Sequence, residues 1–301
     1  VDTGDIVYTK SPLKSNPYGI IRANLGRPGI VSTLYAVYQV RSGHSYDFVN
    51  RYFESDDRTN KYLRPLVNKG AKNDMKISNE RVLIDPVSFP SIAEQKKIAA
   101  CLSAIDAKIG AVREKEAALA RFKRGLMQAL FSRTLRFTRD DGSSYPDWEE
   151  KPLQEVAIIN PKPDALPVRF NYVDLESVNA GKLGPTEIIS SDNAPSRAQR
   201  VLRRGDILFQ TVRPYQRNNL LFDESGEFVG STGYAQLRAR SVVGFLYQAV
   251  HTDTFVRRVL VRCTGTSYPA INSSDLASVP IDYPHPEEQQ KIADALSSLD
   301  A

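Results

Sequence analysis

Apolar and polar positions divide the chain into two similar stretches, each a set of short strand-like runs followed by a helix. Runs rich in β-forming residues, cut by Gly, Pro and Asn, are GDIVYT, STLYAVYQV and RVLIDPVSF in the first stretch and GDILFQTV, EFVGST, YAQLRA and ASVPIDY in the second. Between them, YDFVNRYFES and GFLYQAVHTDTFVRRVL have the spacing of short helices. The pattern predicts an α+β fold with mostly antiparallel or mixed strands.

The two stretches are copies of one unit. Three motifs recur in the same order: GDI at 4–6 and 205–207, STLYA at 32–36 and STGYA at 231–235, and the helix starts SIAEQKKIAACLSAIDA at 91–107 and HPEEQQKIADALSSLDA at 285–301. The paired motifs lie 201, 199 and 194 residues apart, so only short insertions separate the copies. We therefore predict two similar domains related by an approximate twofold.

A long helix is predicted between the copies. Apolar residues recur with a seven-residue period after Pro90, and no proline occurs from 91 to 145. The predicted seam is Ile98, Leu102, Ile105, Ile109, Val112, Leu119, Leu126 and Leu130, and its spacing recurs at Ile292, Leu296 and Leu299. Because one apolar edge cannot bury itself, we expect this helix to pair with the helix that begins at Pro286, as in a coiled coil. About 40 helical residues would make a rod of about 60 Å that holds the two domains apart. A core helix inside one large domain is the alternative.

The predicted boundaries follow the repeat. Residues 1–90 are the C-terminal part of the first domain, 91–135 the central spacer helix, 136–285 the second domain and 286–301 the start of a distal, truncated helix. The first copy has no counterpart of residues 136–203, and the second stops at the counterpart of Ala107. We expect a fragment, or a subunit with further residues at its ends, in preference to a permuted form.

Composition and charge narrow the class of protein. The chain is 41% hydrophobic and 25% charged, its apolar runs are far shorter than the ~18 residues of a membrane span, and two cysteines argue against a disulfide framework. These features predict a cytoplasmic protein. The net charge of +5 lies entirely in residues 91–135, which hold nine Lys or Arg against four Asp or Glu. This basic segment is either a solvated face or a footprint for a phosphate backbone.

Catalytic motifs are missing. The three histidines, His44, His251 and His285, are not at metal-ligand spacing, and the sequence has no Gly-rich phosphate or dinucleotide loop. INPKP at 159–163 lacks the second proline and the aromatic residue of an amino-methyltransferase turn. PDWEEK at 146–151 is interpreted as a turn anchored by Trp148. The sequence therefore predicts neither a metal site nor an enzyme.

Binding loops are predicted instead. In each copy a polar, basic, Pro-containing loop follows the GDI strand (9–19 and 210–219), and a second loop (68–78 and 263–273) precedes the last strand. Arg, Asn, Gln and hydroxyl side chains read base edges, and small residues allow phosphates to approach. The candidate DNA contacts are Lys10, Ser11, Lys14, Asn16, Lys69, Lys72, Thr211, Arg213, Tyr215, Gln216, Arg217, Thr266, Ser267 and Tyr268. Ordinary solvent loops are the alternative.

The chain resembles the DNA-specificity subunit of type I restriction–modification systems. The resemblance rests on two domains that each end in a proline and a Glu-Gln helix start, and on a long helix between them that ends FKRGLMQALFSRTLRF and is followed by YPDWEE. The resemblance covers essentially the whole chain and is most specific at 90–107, 121–150 and 284–301. It implies a non-catalytic subunit that reads a split double-stranded DNA target, one half-site per target-recognition domain.

The resemblance also implies partners. Two methyltransferase (modification) subunits would use S-adenosylmethionine, and restriction subunits of the full complex would use ATP and Mg. The helical regions 91–135 and 286–301 would bind the modification subunits. The basic segment 91–135 would then contact protein instead of phosphate. Two other interpretations are the specificity chain of a related restriction–methylation machine and, from another class, a coiled-coil scaffold joining two protein-binding modules.

Overall fold

The computed structural model describes residues 1–9, 16–69, 75–162 and 165–299. The chain forms two compact units, Val1–Lys115 and Glu116–Ala301. The division falls inside the long helix predicted between the copies. None of the helices in the described ranges combines the length and the apolar content that a membrane crossing requires.

The first unit is a small antiparallel sheet covered by helices. Its elements are β1 (Ile6–Thr9), β2 (Ile20–Ala23), β3 (Tyr35–Tyr38), α1 (Tyr46–Phe53), α2 (Asp56–Leu63), β4 (Asn68–Lys69) and β5 (Met75–Lys76), with 3-10 turns at Arg64–Leu66 and Arg81–Leu83. The helix α3 (Ile92–Phe131) begins in the first unit and ends in the second. The three main strands lie in the order β2-β1-β3, and β4 pairs with β5. The core contains Ile6, Tyr8, Ile21, Phe53 and Leu63.

The second unit is larger. Its elements are β6 (Glu149–Pro152), α4 (Leu153–Val156), β7 (Ala157–Ile159), β8 (Arg169–Val173), β9 (Val178–Asn179), β10 (Lys182–Leu183), β11 (Glu187–Ser190), β12 (Ala198–Val201), β13 (Asp206–Gln210), β14 (Leu220–Leu221), β15 (Phe228–Ser231), β16 (Tyr234–Ala239), α5 (Val243–Ala249), α6 (Asp253–Leu260), α7 (Ser273–Ala277), β17 (Pro280–Tyr283) and α8 (Pro286–Ser297), with 3-10 turns at Ser191–Asn193 and Pro214–Gln216. Two four-stranded sheets, β14-β13-β16-β7 and β11-β8-β15-β12, are accompanied by the pairs β17-β6 and β10-β9.

The internal repeat is visible in the strand register. Ile6 lies opposite Tyr38 in the first unit, and its counterpart Ile207 lies opposite Leu237 in the second. The GDI turn is also the same: Asp5 Oδ2 accepts from Asp2 N, and Asp206 Oδ2 accepts from Arg203 N, both at 2.7 Å. Glycine is needed before each aspartate because φ is +94° at Gly4 and +88° at Gly205. The α+β fold with an internal repeat, predicted from the pattern, is confirmed.

The shared helix start is held by the same buried glutamine in both units. The Gln95 amide donates to Pro90 O, and the Gln289 amide donates to Pro284 O, both at 2.8 Å. Both glutamines are buried. Each bond satisfies a carbonyl just ahead of a helix, so the Glu-Gln motif fixes where the chain turns into that helix.

α3 is continuous over 40 residues, but its apolar seam is buried only at its ends. Leu126 and Leu130 join the core of the second unit, whereas Leu102, Ile105, Ile109, Val112 and Leu119 are 37–57% exposed. No partner helix covers these five residues within the part of the chain that the structure describes.

The expected pairing of α3 with the helix from Pro286 needs correction. In α8, Ile292 and Leu296 are buried in the core of the second unit, and Leu299 is half-buried. α8 lies close against α5, where a Cβ at Gly244 would come within 3.0 Å of Ala293. The apolar face of α8 is therefore used inside its own domain.

The run RVLIDPVSF was predicted as a strand, and the structure instead forms a 3-10 turn at Arg81–Leu83 followed by irregular chain. Its counterpart, β17, pairs with β6. Among the described residues, no strand pairs with residues 84–89. A strand-forming run without a partner strand has no ladder to join, which explains the difference.

A buried carboxylate joins the start and the end of the second unit. Glu288 is 0% exposed; it accepts from Arg136 Nε at 3.1 Å and Nη2 at 2.9 Å, and from Trp148 Nε1 at 3.1 Å. The hydrogen bond to Glu288 raises the pKa of the Arg136 guanidinium. Trp148 thus anchors this part of the chain, as predicted from the sequence PDWEEK.

We expect Gln289→Ala to lower the free energy of unfolding by about 1–3 kcal/mol, because the buried Pro284 carbonyl loses its donor. Urea denaturation monitored by Trp148 fluorescence measures this change. Gln290→Ala is the matched control, since its neighbouring side chain is exposed and bonds only Asp294. An equal decrease in the free energy of unfolding in the two variants would show that the hydrogen bond from Gln289 to Pro284 contributes nothing specific.

Candidate nucleic-acid interface

In the second unit the two predicted binding loops meet. The loop after β13 and the loop before α7 are joined by main-chain bonds: Arg213 N donates to Pro269 O at 2.7 Å, and Ile271 N donates to Thr211 O at 3.1 Å. Val212 and Ala270 also form an antiparallel bridge. Residues 211–217 and 264–270 therefore form one surface, which we call the loop pair.

Arg213 is the central side chain of the loop pair. Its guanidinium lies over the Tyr268 ring, with Cζ 4.1 Å from the ring centroid. Its backbone is left-handed, with φ +54°, a conformation that costs a non-glycine residue ~1–3 kcal/mol. A strained backbone that aims a stacked guanidinium indicates that the loop is built to orient this side chain.

Four other side chains of the loop pair are open to solvent. Tyr268 is 64% exposed and Tyr215 is 49% exposed, and Thr266 and Ser267 are exposed beside Tyr268. Gly265 allows the tight bend, because its φ is +88° and a Cβ there would approach Tyr268 O to 3.0 Å. The surface thus combines the guanidinium of Arg213 with two tyrosine rings and the hydroxyls of Thr266 and Ser267.

A buried polar network supports the loop pair from below. Asn219 Oδ1 accepts from Gln210 N at 2.9 Å, and Gln210 Nε2 donates to Gln216 Oε1 at 2.8 Å. Asn219 Nδ2 lies 3.3 Å from His251 Nε2, and His251 Nδ1 lies 2.6 Å from Tyr247 O. Both His251 contacts are satisfied when Nδ1 carries the proton. Sequence analysis missed Gln210, Asn219 and His251, because nothing in their spacing links them.

Two buried polar atoms of the site have no hydrogen-bond partner among the described residues: Nε of Arg213 and Oε1 of Gln210. Buried polar groups of this kind are rare in folded proteins and call for a reason, such as a ligand. Arg213 belongs to the loop pair, and Gln210 is the last residue of β13, directly before it.

In both units a side chain from the segment after the GDI strand binds the first residue of a later helix. Arg217 forms an ion pair with Asp253 at the start of α6, and Asn16 Nδ2 donates to Asp56 at the start of α2 at 3.0 Å. In both helices the preceding Ser55 or Thr252 is the N-cap. Asn16 and Arg217 therefore occupy equivalent positions, each bound to the first residue of a helix.

This anchoring corrects part of the predicted site. Asn16 is 5% exposed and lies inside the first unit, not on its surface. Thr211 is also buried, and its hydroxyl donates to Gly233 O at 2.8 Å. Their polarity suggested contacts with DNA, whereas each satisfies a local partner. Gln216 is exposed but already accepts from Gln210.

The first-unit candidates are less fully described. Lys10, Ser11, Lys14 and Lys72 lie outside the described residues. Lys69 belongs to β4, and its side chain is not described. Their contacts with DNA stay predictions. In the described ranges, no group of three or more His, Cys, Asp or Glu side chains is placed to hold a metal ion.

The model of a known family, the type I restriction modification DNA specificity domain, matches residues 145–301. This match covers more than half of the chain. The chain belongs to this family. The matched residues include the loop pair and the second Glu-Gln helix start.

Related specificity subunits extend the likeness. The chain is 26% identical over 233 residues to the type I restriction enzyme MjaVIII specificity subunit of Methanocaldococcus jannaschii, covering 71% of this chain and 55% of the relative. It is 25% identical over 167 residues to the HindI specificity subunit of Haemophilus influenzae, covering 51% of this chain and 35% of that subunit. The chain thus spans about half the length, or less, of these curated relatives.

Solved structures share the fold. The type I restriction–modification S subunit of M. genitalium superposes with a TM-score of 0.61 at 14% identity, covering 100% of this chain and 77% of that one. A chain from a structure on complex assembly and conformational transition of the type I R-M system gives 0.52 at 20% identity, covering 100% and 75%. These structures confirm the predicted fold class, and the family match and the curated relatives confirm the resemblance. The comparisons do not favour the coiled-coil scaffold.

We expect acid to destabilise the second unit of this specificity domain through His251. Burial lowers the pKa of His251, with a smaller contribution from the charge of Arg217. The folded state therefore keeps the ring neutral, while the unfolded state binds a proton near pH 6.5. The contribution of the neutral His251 ring to the free energy of unfolding is complete above about pH 6.5 and is lost as the pH drops towards the lowered pKa.

Urea denaturation at several pH values between 7.5 and 5 measures the effect. His251→Gln removes the titrating group, so its stability is expected to fall less steeply with pH than that of the parent. Gln290→Ala, which alters an exposed side chain and removes no titratable group, is the control and should retain the parent's slope. An unchanged slope in His251→Gln would assign the acid sensitivity to other groups.

Proposed function

We propose that the second unit reads one half of a bipartite double-stranded DNA target through the loop pair. The observation that carries the proposal is the main-chain junction between the two loops, which brings Arg213, Tyr215, Thr266, Ser267 and Tyr268 to one exposed surface. Membership of a DNA-specificity family gives this surface its ligand class.

The chemistry of the loop pair suits base recognition. A guanidinium is a bidentate donor for O6 and N7 of guanine in the major groove, and stacking on Tyr268 fixes the plane from which Arg213 donates. Threonine and serine hydroxyls beside a tight glycine turn are suited to phosphate oxygens. We assign base reading to Arg213 and backbone positioning to Thr266 and Ser267.

The first unit is proposed to read the other half-site. It repeats the GDI turn and strand register, and its loop is anchored by Asn16 on Asp56 as the second loop is by Arg217 on Asp253. The loop sequences differ between the copies while this framework is shared. Such a difference is expected when each domain reads different bases.

We propose that partner subunits bind to the exposed middle of α3. Its seam residues from Leu102 to Leu119 are apolar and exposed, and a seven-residue apolar period is completed by a further helix. We propose that modification subunits supply this cover. S-adenosylmethionine would be bound by them, and ATP and Mg by the restriction subunits of the full complex, while this chain is a non-catalytic, cytoplasmic component.

We expect Arg213→Ala to weaken binding to the cognate half-site by about 1–3 kcal/mol and to leave nonspecific affinity nearly unchanged. The cognate duplex is first selected from random DNA with the assembled complex, and binding is then measured by fluorescence anisotropy at fixed salt. Arg204→Ala is the matched control, because Arg204 pairs with Asp223 near the other end of β13. An equal loss on every duplex would make Arg213 a phosphate contact.

We expect the double variant Ile105→Asp/Val112→Asp to weaken assembly with modification subunits at least about tenfold, since two charges on the seam resist burial. Co-purification and isothermal titration with the modification subunit measure this loss. Ala100→Asp/Ala107→Asp adds the same charge on the exposed opposite face and should assemble normally. Normal assembly of the seam variant would remove the middle of α3 from the interface.

A further inference from the structure

A row of hydrogen-bonded side-chain amides runs from the interior of the second unit to the surface of the loop pair. Asn219 Oδ1 accepts from Gln210 N at 2.9 Å, and the side-chain amide of Gln210 reaches Gln216. Asn219 and Gln210 are buried, whereas Gln216 is exposed. The inner end of this row is therefore fixed, and its outer end, Gln216, lies on the surface where DNA is proposed to bind.

The main chain sets the orientation of the Gln210 amide. Its Nε2 donates to Val212 O at 2.7 Å. A carbonyl oxygen only accepts hydrogen bonds, so the reverse orientation would press Gln210 Oε1 against a second acceptor. The other proton of Nε2 is donated to Gln216, 2.8 Å away. The atom of Gln216 that faces Gln210 is therefore its carbonyl oxygen, Oε1.

The outward group of Gln216 is consequently its NH2. Oε1 is held against the buried Gln210, and Nε2 makes no hydrogen bond among the described residues. The backbone is fixed as well, because Gln216 N donates to Arg213 O at 3.0 Å across a tight turn. Left-handed residues flank this turn, with φ +54° at Arg213 and +53° at Arg217. Gln216 thus presents a donor that loses little freedom on binding.

We propose that Gln216 reads a keto group in the major groove, O6 of guanine or O4 of thymine. A glutamine that reads adenine uses both amide groups, since Oε1 accepts from N6 while Nε2 donates to N7. Here Oε1 faces the protein, so the amino groups of adenine and cytosine would meet the NH2 of Gln216. Gln216 is the specificity residue and Gln210 is its positioning residue.

This inference rests on the proposed reading of DNA by the loop pair. Arg213 and Gln216 close one turn of the chain, and such a turn keeps the Cα atoms of its two ends within about 7 Å. The keto base read by Gln216 is therefore close to the guanine assigned to Arg213.

Target selection from random duplexes, with the full chain in the assembled complex, tests the proposal. The parent is expected to select guanine or thymine at one position that Gln216→Ala no longer discriminates. Gln216→Glu keeps an oxygen for Gln210 and turns the outward donor into an acceptor, so it is expected to select cytosine or adenine there. The added charge weakens binding to every duplex, so the base preference at this position is the measurement that decides.

Binding measurements on single duplexes give the size of the effect. By fluorescence anisotropy, exchange of the keto base for cytosine is expected to weaken binding by the parent about tenfold, because a donor then faces a donor. Gln199→Glu makes the same substitution at an exposed position on β12 and should keep the parent's preferences.

Gln210→Met tests the positioning role. It removes the bonds to Val212 O and to Gln216 Oε1 with little change in side-chain length. The amide of Gln216 is then free to turn, so adenine is expected to be accepted at its position, while the guanine preference assigned to Arg213 remains. A merely structural defect would weaken both preferences together.

Two results would overturn the assignment of Gln216. One is selection of adenine by the parent at the position that Gln216→Ala affects, and the other is an unchanged preference in both Gln216 variants. If Arg213→Ala still weakens cognate binding in that case, only the inference about Gln216 is wrong. If neither residue affects binding to any duplex, the loop pair does not read DNA, and both proposals are wrong.

Discussion

The second unit depends on keeping one buried charge satisfied. Glu288 has no access to solvent, and an unpaired carboxylate in such a place would be prohibitively costly. Arg136 and Trp148 supply three donors to it, and these residues lie just after α3 and just before β6. The carboxylate therefore determines how the chain leaves the long helix, enters the domain and returns to it at α8.

In this family scaffold, the residues that support the fold are different from the residues of the exposed loops. Buried glutamines, the GDI turn and the paired strands are the same in both units, whereas the exposed loops differ. The loop pair is joined to the scaffold through main-chain bonds and through Asp253. Side chains at the tip are thus free to change without loss of the bonds that hold the loop.

The sequence predicted the features that depend on local chemistry. Gly before Asp requires a turn with positive φ, and the Glu-Gln motif recurs because a buried amide is needed beside each proline carbonyl. Burial was harder to predict, because it depends on distant residues. Asn16 and Thr211 read as surface polar groups and are buried, and Glu94 and Glu288 are identical in sequence but only one is enclosed. The seam of α3 likewise predicted pairing with the helix from Pro286, whereas the apolar face of that helix is buried in the core of the second unit.

The left-handed backbone at Arg213 limits how this domain can acquire new specificity. Few residues other than glycine tolerate that conformation, and asparagine is among the best of them. Asparagine is also the side chain that pairs with adenine, as arginine pairs with guanine. With Arg213 as the proposed base contact, a lineage that keeps this turn can therefore pass from one purine to the other by substituting this single residue, whereas the left-handed backbone excludes bulky β-branched residues.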